Sequence, residues 1–138
     1  MIEDCIFCKI ISGEIPSYTI YEDDDTLAFL DINPNTQGHT LVIPKKHGDK
    51  ITDLDDNDVA AVFRTVKKVV NGLQATIGPE GFNLVVNHGE IAGQIIHHFH
   101  CHIIPRNVDD GIEYDFKGIT PSQEEFQELT GKAAEQIN

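Results

Sequence analysis

An α+β fold is what this 138-residue chain predicts. The expectation is five strands in one antiparallel sheet, one long helix covering a face, and a second helix near the C-terminal end. Three observations lead there. Short β-rich runs are separated by turns containing Gly, Pro and Asn. Between them lies one stretch whose apolar residues recur with the helical period. The links within the first hairpin and between the last two strands are short, which favours antiparallel pairing.

The elements follow in order. CIFCKIISGE (5–14) reads as a short lead-in segment ending at Gly13. YTIYEDDDTLAFLDI reads as a hairpin, with strands over 18–22 and 26–32 joined by an acidic turn. NPNTQG is a loop, and HTLVIP a third strand stopped by Pro44. From Val59 the apolar positions are Val59, Val62, Phe63, Val66, Val69, Val70, Leu73 and Ile77, one face of a helix. Asp55 or Asp56 supplies its N-cap, and Gly78-Pro79 ends it. FNLVVN is a fourth strand, HGEIAGQ a loop, and IIHHFHCHIIP (95–105) a fifth strand closed by Pro105. Ser122 and Glu125 make a capping box ahead of a polar helix of about 14 residues. Its thin apolar stripe, Phe126, Leu129 and Ala133, marks it as peripheral or partner-dependent.

Length and composition suit one soluble globular domain with a real core. No apolar run approaches the roughly 18–20 residues of a membrane span. The start, MIEDCIF, is acidic where a signal peptide is basic, so a cytoplasmic location is expected. A net charge of −13 argues against non-specific nucleic-acid binding. It leaves room for a small nucleotide, because histidines and backbone N–H groups can build a local phosphate site. Cys5 and Cys8 form C-x-x-C, and Cys101 lies far away. A disulfide is not expected in a reducing compartment. The C-x-x-C spacing is half of a zinc site.

Four of the seven histidines fall in HHFHCH (97–102). Strand alternation puts His98, His100 and His102 on one face, with His97, Phe99 and Cys101 on the other. His97 then reads as a polar residue at the strand end. Three aligned imidazoles are hard to explain as packing, since each buried ring needs hydrogen-bond partners. Spaced roughly 6.5–7 Å apart, they are too far apart for a compact three-histidine metal site. Phosphoryl chemistry suits them better: neutral imidazole is a good nucleophile near pH 7, and its neighbours can stabilise charge.

His98-Phe99-His100-Cys101-His102-Ile103-Ile104 resembles the signature of the histidine triad (HIT) superfamily of nucleotide hydrolases and transferases. The flanks agree: Asn87, AGQII, HTLVIPKKH (39–47) and LAFLDINP (27–34). The resemblance implies a single HIT-like domain over 1–138, with a core over about 5–106 and an extension over 107–138. It also implies a homodimer whose sheets join. The reaction implied is hydrolysis of the bond between a nucleoside 5′-monophosphate and its leaving group, in a phosphoramidate or an acyl or aminoacyl adenylate. His100 would be the nucleophile, forming a nucleotidyl-histidine. His102 would contact the phosphate, and His39 would assist through the proton network. Asn87 would touch a phosphate or leaving-group atom, Gln94 the phosphate, and Asp31 the ribose hydroxyls. Phe7, Ile10 and Phe29 would line the base pocket.

Ile95 departs from the small hydroxyl residue usual after the Gln of the GQ pair. HIIPR somewhat resembles the dinucleoside polyphosphate hydrolase branch, which stands as a second expectation. A nucleotide sensor with slow turnover and a protein partner is a third. By resemblance to bacterial members, Cys5, Cys8, His47 and His98 would hold a zinc ion. Four protein ligands leave no open position, so that zinc would be structural.

Overall fold

The computed structural model describes residues 4–137. Its elements are α1 (Ile6–Ile11), β1 (Thr19–Glu22), β2 (Thr26–Leu30), β3 (Thr40–Pro44), α2 (Asp56–Thr76), β4 (Gly81–Val85), β5 (Cys101–Arg106) and α3 (Gln123–Ile137). The five strands form one sheet in the order β1-β2-β3-β5-β4, and every neighbouring pair is antiparallel. The α+β expectation of a five-stranded antiparallel sheet with a long helix and a C-terminal helix therefore holds.

Alternation along the strands builds two apolar layers. On one face, Ala28, Val42, Cys101 and Ile103 pack with Phe99 against Val62, Val66, Val69 and Leu73 of α2. Each such fully buried aliphatic side chain contributes about 1.5–3 kcal/mol. On the other face, Leu27, Phe29, Leu41 and Ile43 pack against Phe7 and Cys8 of α1. The hairpin turn is tied by Asp23, whose Oδ1 accepts from the N–H groups of Asp25 (2.9 Å) and Thr26 (2.8 Å). Asp55 caps α2, accepting from the N–H of Asp58 at 2.8 Å.

Three local expectations change. The lead-in segment is a helix: Cys5 is its N-cap, and its Sγ accepts from the Cys8 N–H at 3.3 Å. A cysteine cap carries no sequence signature, which hides α1. The fifth strand starts at Cys101, not at residue 95, because the ladder with β3 ends at the Val42–Cys101 pair. Phe63 is 39% exposed, since the buried stripe of α2 rotates through Ala61 and Thr65 instead. Thr65 meets Thr26 through a 2.7 Å hydroxyl hydrogen bond inside the core. The capping box of α3 forms as expected, with Glu125 accepting from the Ser122 N–H and Ser122 from the Glu125 N–H. None of the α3 residues is buried, and Phe126 and Leu129 face solvent. Among the described residues, no helix is long and apolar enough to cross a membrane.

Candidate functional site

His98, His100 and His102 share one side of the chain, although only His102 lies in β5. Phe7 stands against the rings of both His98 and His100, and the His100 and His102 ring centroids are 5.0 Å apart. Ahead of the ladder, the chain is held by specific ties. The Phe99 N–H donates to the Gly48 carbonyl at 2.6 Å. Gly48 is tightly confined there: a Cβ would sit 2.6 Å from Leu54 Cδ2. The His98 ring Nε2 meets the Pro44 carbonyl at 2.8 Å. That carbonyl can only accept, so Nε2 carries the proton and Nδ1 of the neutral ring is a bare lone pair.

The same logic assigns His100. Its Nδ1 lies 2.7 Å from the His98 carbonyl, so Nδ1 holds the proton and donates. Nε2 is left with a free lone pair. Burial lowers the His100 pKa, against the pull of the His98 carbonyl and of Asp31. The ring is thus neutral near pH 7, the nucleophilic form. Phe7 stands edge-on to it, with ring centroids 5.2 Å apart.

His39 and His102 complete a relay. The Asn35 N–H donates to His39 Nδ1 at 3.1 Å, which places the His39 proton on Nε2. His39 Nε2 then donates to His102 Nδ1 at 3.0 Å. His102 is left with its own proton on Nε2, beside His100. Burial, reinforced by the neighbouring His100 and His39, pushes the His102 pKa down to about 4. Burial also lowers that of His39, opposed by Asp31. Asp31 Oδ2 lies 3.7 Å from His39 Nε2, too long for a hydrogen bond, and its Oδ1 accepts from the Asn33 N–H at 2.9 Å.

The remaining expected residues divide. Asn87 is partly buried beside Gly93, a residue at φ +106° whose missing side chain lets the Asn87 amide come close. Phe7 and Phe29 are buried in the core with Leu41 and Ile43, and Ile10 packs against that layer. Gln94, expected at the phosphate, is engaged inside the protein. Its Nε2 donates to the carbonyl and Oδ1 of Asp49, both at 2.8 Å, and approaches the Ile96 carbonyl at 3.1 Å. Its Oε1 accepts from the Gly89 N–H at 2.9 Å. Both amide hydrogens are used inside the protein, so Gln94 ties loops together. His97 is more than half exposed, between Asp49 (3.4 Å) and Glu90 (3.5 Å). Residue patterning points to neither Asn35 nor Asp49, nor to the carbonyls of Pro44 and Gly48. Backbone acceptors carry no residue-type signal.

Cys5, Cys8, His47 and His98 converge, with their ligand atoms all within 4.8 Å of one another. His98 Nδ1 lies 3.3 Å from Cys5 Sγ, 3.6 Å from Cys8 Sγ and 3.2 Å from His47 Nδ1. Cys8 Sγ lies 3.4 Å from His47 Nδ1. A tetrahedron with ordinary zinc–sulfur and zinc–nitrogen bonds has S···N edges of ~3.6 Å and N···N edges of ~3.3 Å. The observed edges match within a few tenths of an ångström. The single lone pair on His98 faces three neighbours, more than one good hydrogen bond can serve. Burial raises the Cys5 thiol pKa, so a thiolate there needs a compensating cation. The donor set therefore fits zinc, with the Pro44 carbonyl orienting one ligand ring.

The HIT domain family matches residues 12–109. An adenosine 5′-monophosphoramidase of Schizosaccharomyces pombe is 42% identical over 134 residues, covering 96% of this chain and 98% of that protein. A crystal structure of a HIT family protein from Bacillus anthracis superposes with a TM-score of 0.94 at 41% identity, over 100% of both chains. A zinc-bound histidine triad family protein from Mycobacterium smegmatis superposes with a TM-score of 0.76 at 36% identity, over 97% of this chain and 95% of that one.

Proposed function

The chain belongs to the HIT domain family, and from that premise we propose that it hydrolyses nucleoside 5′-monophosphate derivatives, phosphoramidates or acyl and aminoacyl adenylates, through a nucleotidyl-histidine. One observation carries the proposal: His100 is a buried neutral imidazole whose Nδ1–H is held by the His98 carbonyl, leaving the Nε2 lone pair free. Nε2 attacks the α-phosphorus, the new P–N bond forms, and the bond to the leaving group breaks. The His102 Nε2–H hydrogen-bonds the phosphate oxygens and gives its proton to a departing amine, and the water of the second step returns a proton to His102. Water then cleaves the P–N bond, releasing the monophosphate and restoring His100. His39 acts through His102 by fixing its tautomer. Asn87 and Asp31 are assigned to the leaving group and the ribose, while Phe7, Ile10 and Phe29 border the base. The name of the S. pombe relative favours a phosphoramidate over a dinucleoside polyphosphate as substrate.

The Cys5, Cys8, His47 and His98 set would hold zinc with no open position for substrate, fastening α1 and His47 to the histidine segment. A homodimer joined through a sheet edge is part of the proposal; β4 is one open edge, with Leu84 exposed on it. A sizing column reads that directly.

The test of the chemistry is covalent trapping. The protein is incubated with adenosine 5′-phosphoramidate and quenched in mild base, and the adduct is sought by mass spectrometry. An adenylate on His100, absent from His100→Ala, is the expected result. A His100→Ala variant that turns over as fast as the parent overturns the assignment. Faster turnover of diadenosine tetraphosphate than of the phosphoramidate moves the substrate class to dinucleoside polyphosphates.

A further inference from the structure

His98 does two things at once. Its ring belongs to the four-donor cluster, and its backbone carbonyl holds the His100 Nδ1–H. The nucleophile's segment lacks sheet support, since the ladder with β3 ends at Cys101. Upstream of that point, residues 98–100 are held by the Phe99 bond to Gly48, the His98 bond to Pro44 and the cluster itself. Cys5 and Cys8 also bracket Phe7, which stands edge-on to both His98 and His100. Three polar neighbours face the one His98 lone pair, which can accept only one good hydrogen bond. A cation engages all four donors at once and leaves a single arrangement.

We infer that His98 is a positioning residue for the reaction: zinc in the Cys5–Cys8–His47–His98 cluster locks the carbonyl that keeps His100 in its nucleophilic tautomer. The inference rests on His100 being the nucleophile. It predicts that the cluster governs the rate of nucleotidylation.

The test reads the tautomer itself. Side-chain ¹⁵N NMR is recorded on zinc-loaded protein and on protein stripped with a chelator. Loaded protein is expected to show one His100 tautomer, with Nδ1–H in slow exchange; stripped protein shows averaging or a mixture. The single-turnover rate of adenylate formation falls by about tenfold or more on stripping, as expected for a displaced reacting group. Zinc returns both the tautomer and the rate. Circular dichroism checks that the stripped protein is folded. If it is not, His47→Ala, which leaves Cys5, Cys8 and His98 in place, is compared with and without added imidazole. Imidazole is expected to rescue the tautomer and the rate together. An unchanged His100 tautomer and adenylation rate in folded, metal-free protein overturns the inference. A tautomer that responds to zinc in a protein that never forms the adduct overturns the nucleophile reading instead.

Discussion

Replacing Gln94 with Met keeps much of the side chain's volume and removes all its hydrogen bonds. In the structure that amide makes four contacts of 2.8 to 3.1 Å, to Asp49 twice, Ile96 and Gly89. The side chain is 3% exposed, so water cannot take its place. Each net hydrogen bond is worth about 1 kcal/mol, and an orphaned buried group costs more. The Asp49 carboxylate is about one-third exposed and can turn to water, so three losses remain. Gln94→Met is therefore expected to lose about 3 kcal/mol of stability. With a urea slope of about 2 kcal/mol per molar, the unfolding midpoint drops by about 1.5 M. The assay pairs urea denaturation with steady-state kinetics on the folded variant. KM for an adenosine phosphoramidate is expected to stay within about threefold, because no donor of Gln94 remains for phosphate. A stability loss below about 1 kcal/mol with a KM raised more than about tenfold refutes the reasoning and returns Gln94 to the substrate.

Three further outcomes are expected. His39→Leu removes the donor to His102 and the acceptor for the Asn35 N–H, and lowers kcat by about tenfold or more with little change in KM; His39→Gln, which offers an amide donor, recovers part of the rate, and equal rates for the two variants break the relay. His102 has a pKa of about 4 in the folded protein against 6.5 when unfolded, so between those values the unfolded chain binds more protons and stability falls as pH drops. The loss reaches at most about 3 kcal/mol by pH 4, less to the extent that solvent screens the ring, and urea titrations should show a shallower slope over that window in His102→Asn. Arg106→Met removes charge-assisted contacts to Asp110 at 2.6 and 3.2 Å and to Asn83 at 2.6 Å. It should speed hydrogen exchange over residues 107–113; unchanged exchange there shows that Arg106 does not hold the turn.

Periodicity makes α2 legible, because its buried side recurs every three to four residues and its N-terminal cap is strong. The hairpin is legible for the opposite reason: β-rich runs flank an acidic turn that ties its own backbone. Helix α1 stays hidden, since six residues capped by a cysteine carry little propensity. The early half of the fifth strand is over-read, because the chain bends at residues 96–98 and finds no ladder partner before Cys101, which residue alternation does not reveal.

Residue order alone determined the family motif, the separation of His97 from His98, His100 and His102, and, through that motif, the pairing of two cysteines with two distant histidines as candidate ligands. Those depend on residue type and spacing, which are explicit in the chain. The division of labour among the histidines was decided only in three dimensions. Whether a ring nitrogen donates, accepts or attacks depends on which carbonyl or N–H faces its other nitrogen: Pro44 for His98, His98 for His100, Asn35 for His39. Two of those partners are backbone carbonyls and the third is a backbone N–H. Every residue supplies the carbonyl and every residue but proline the N–H, so folding alone selects them.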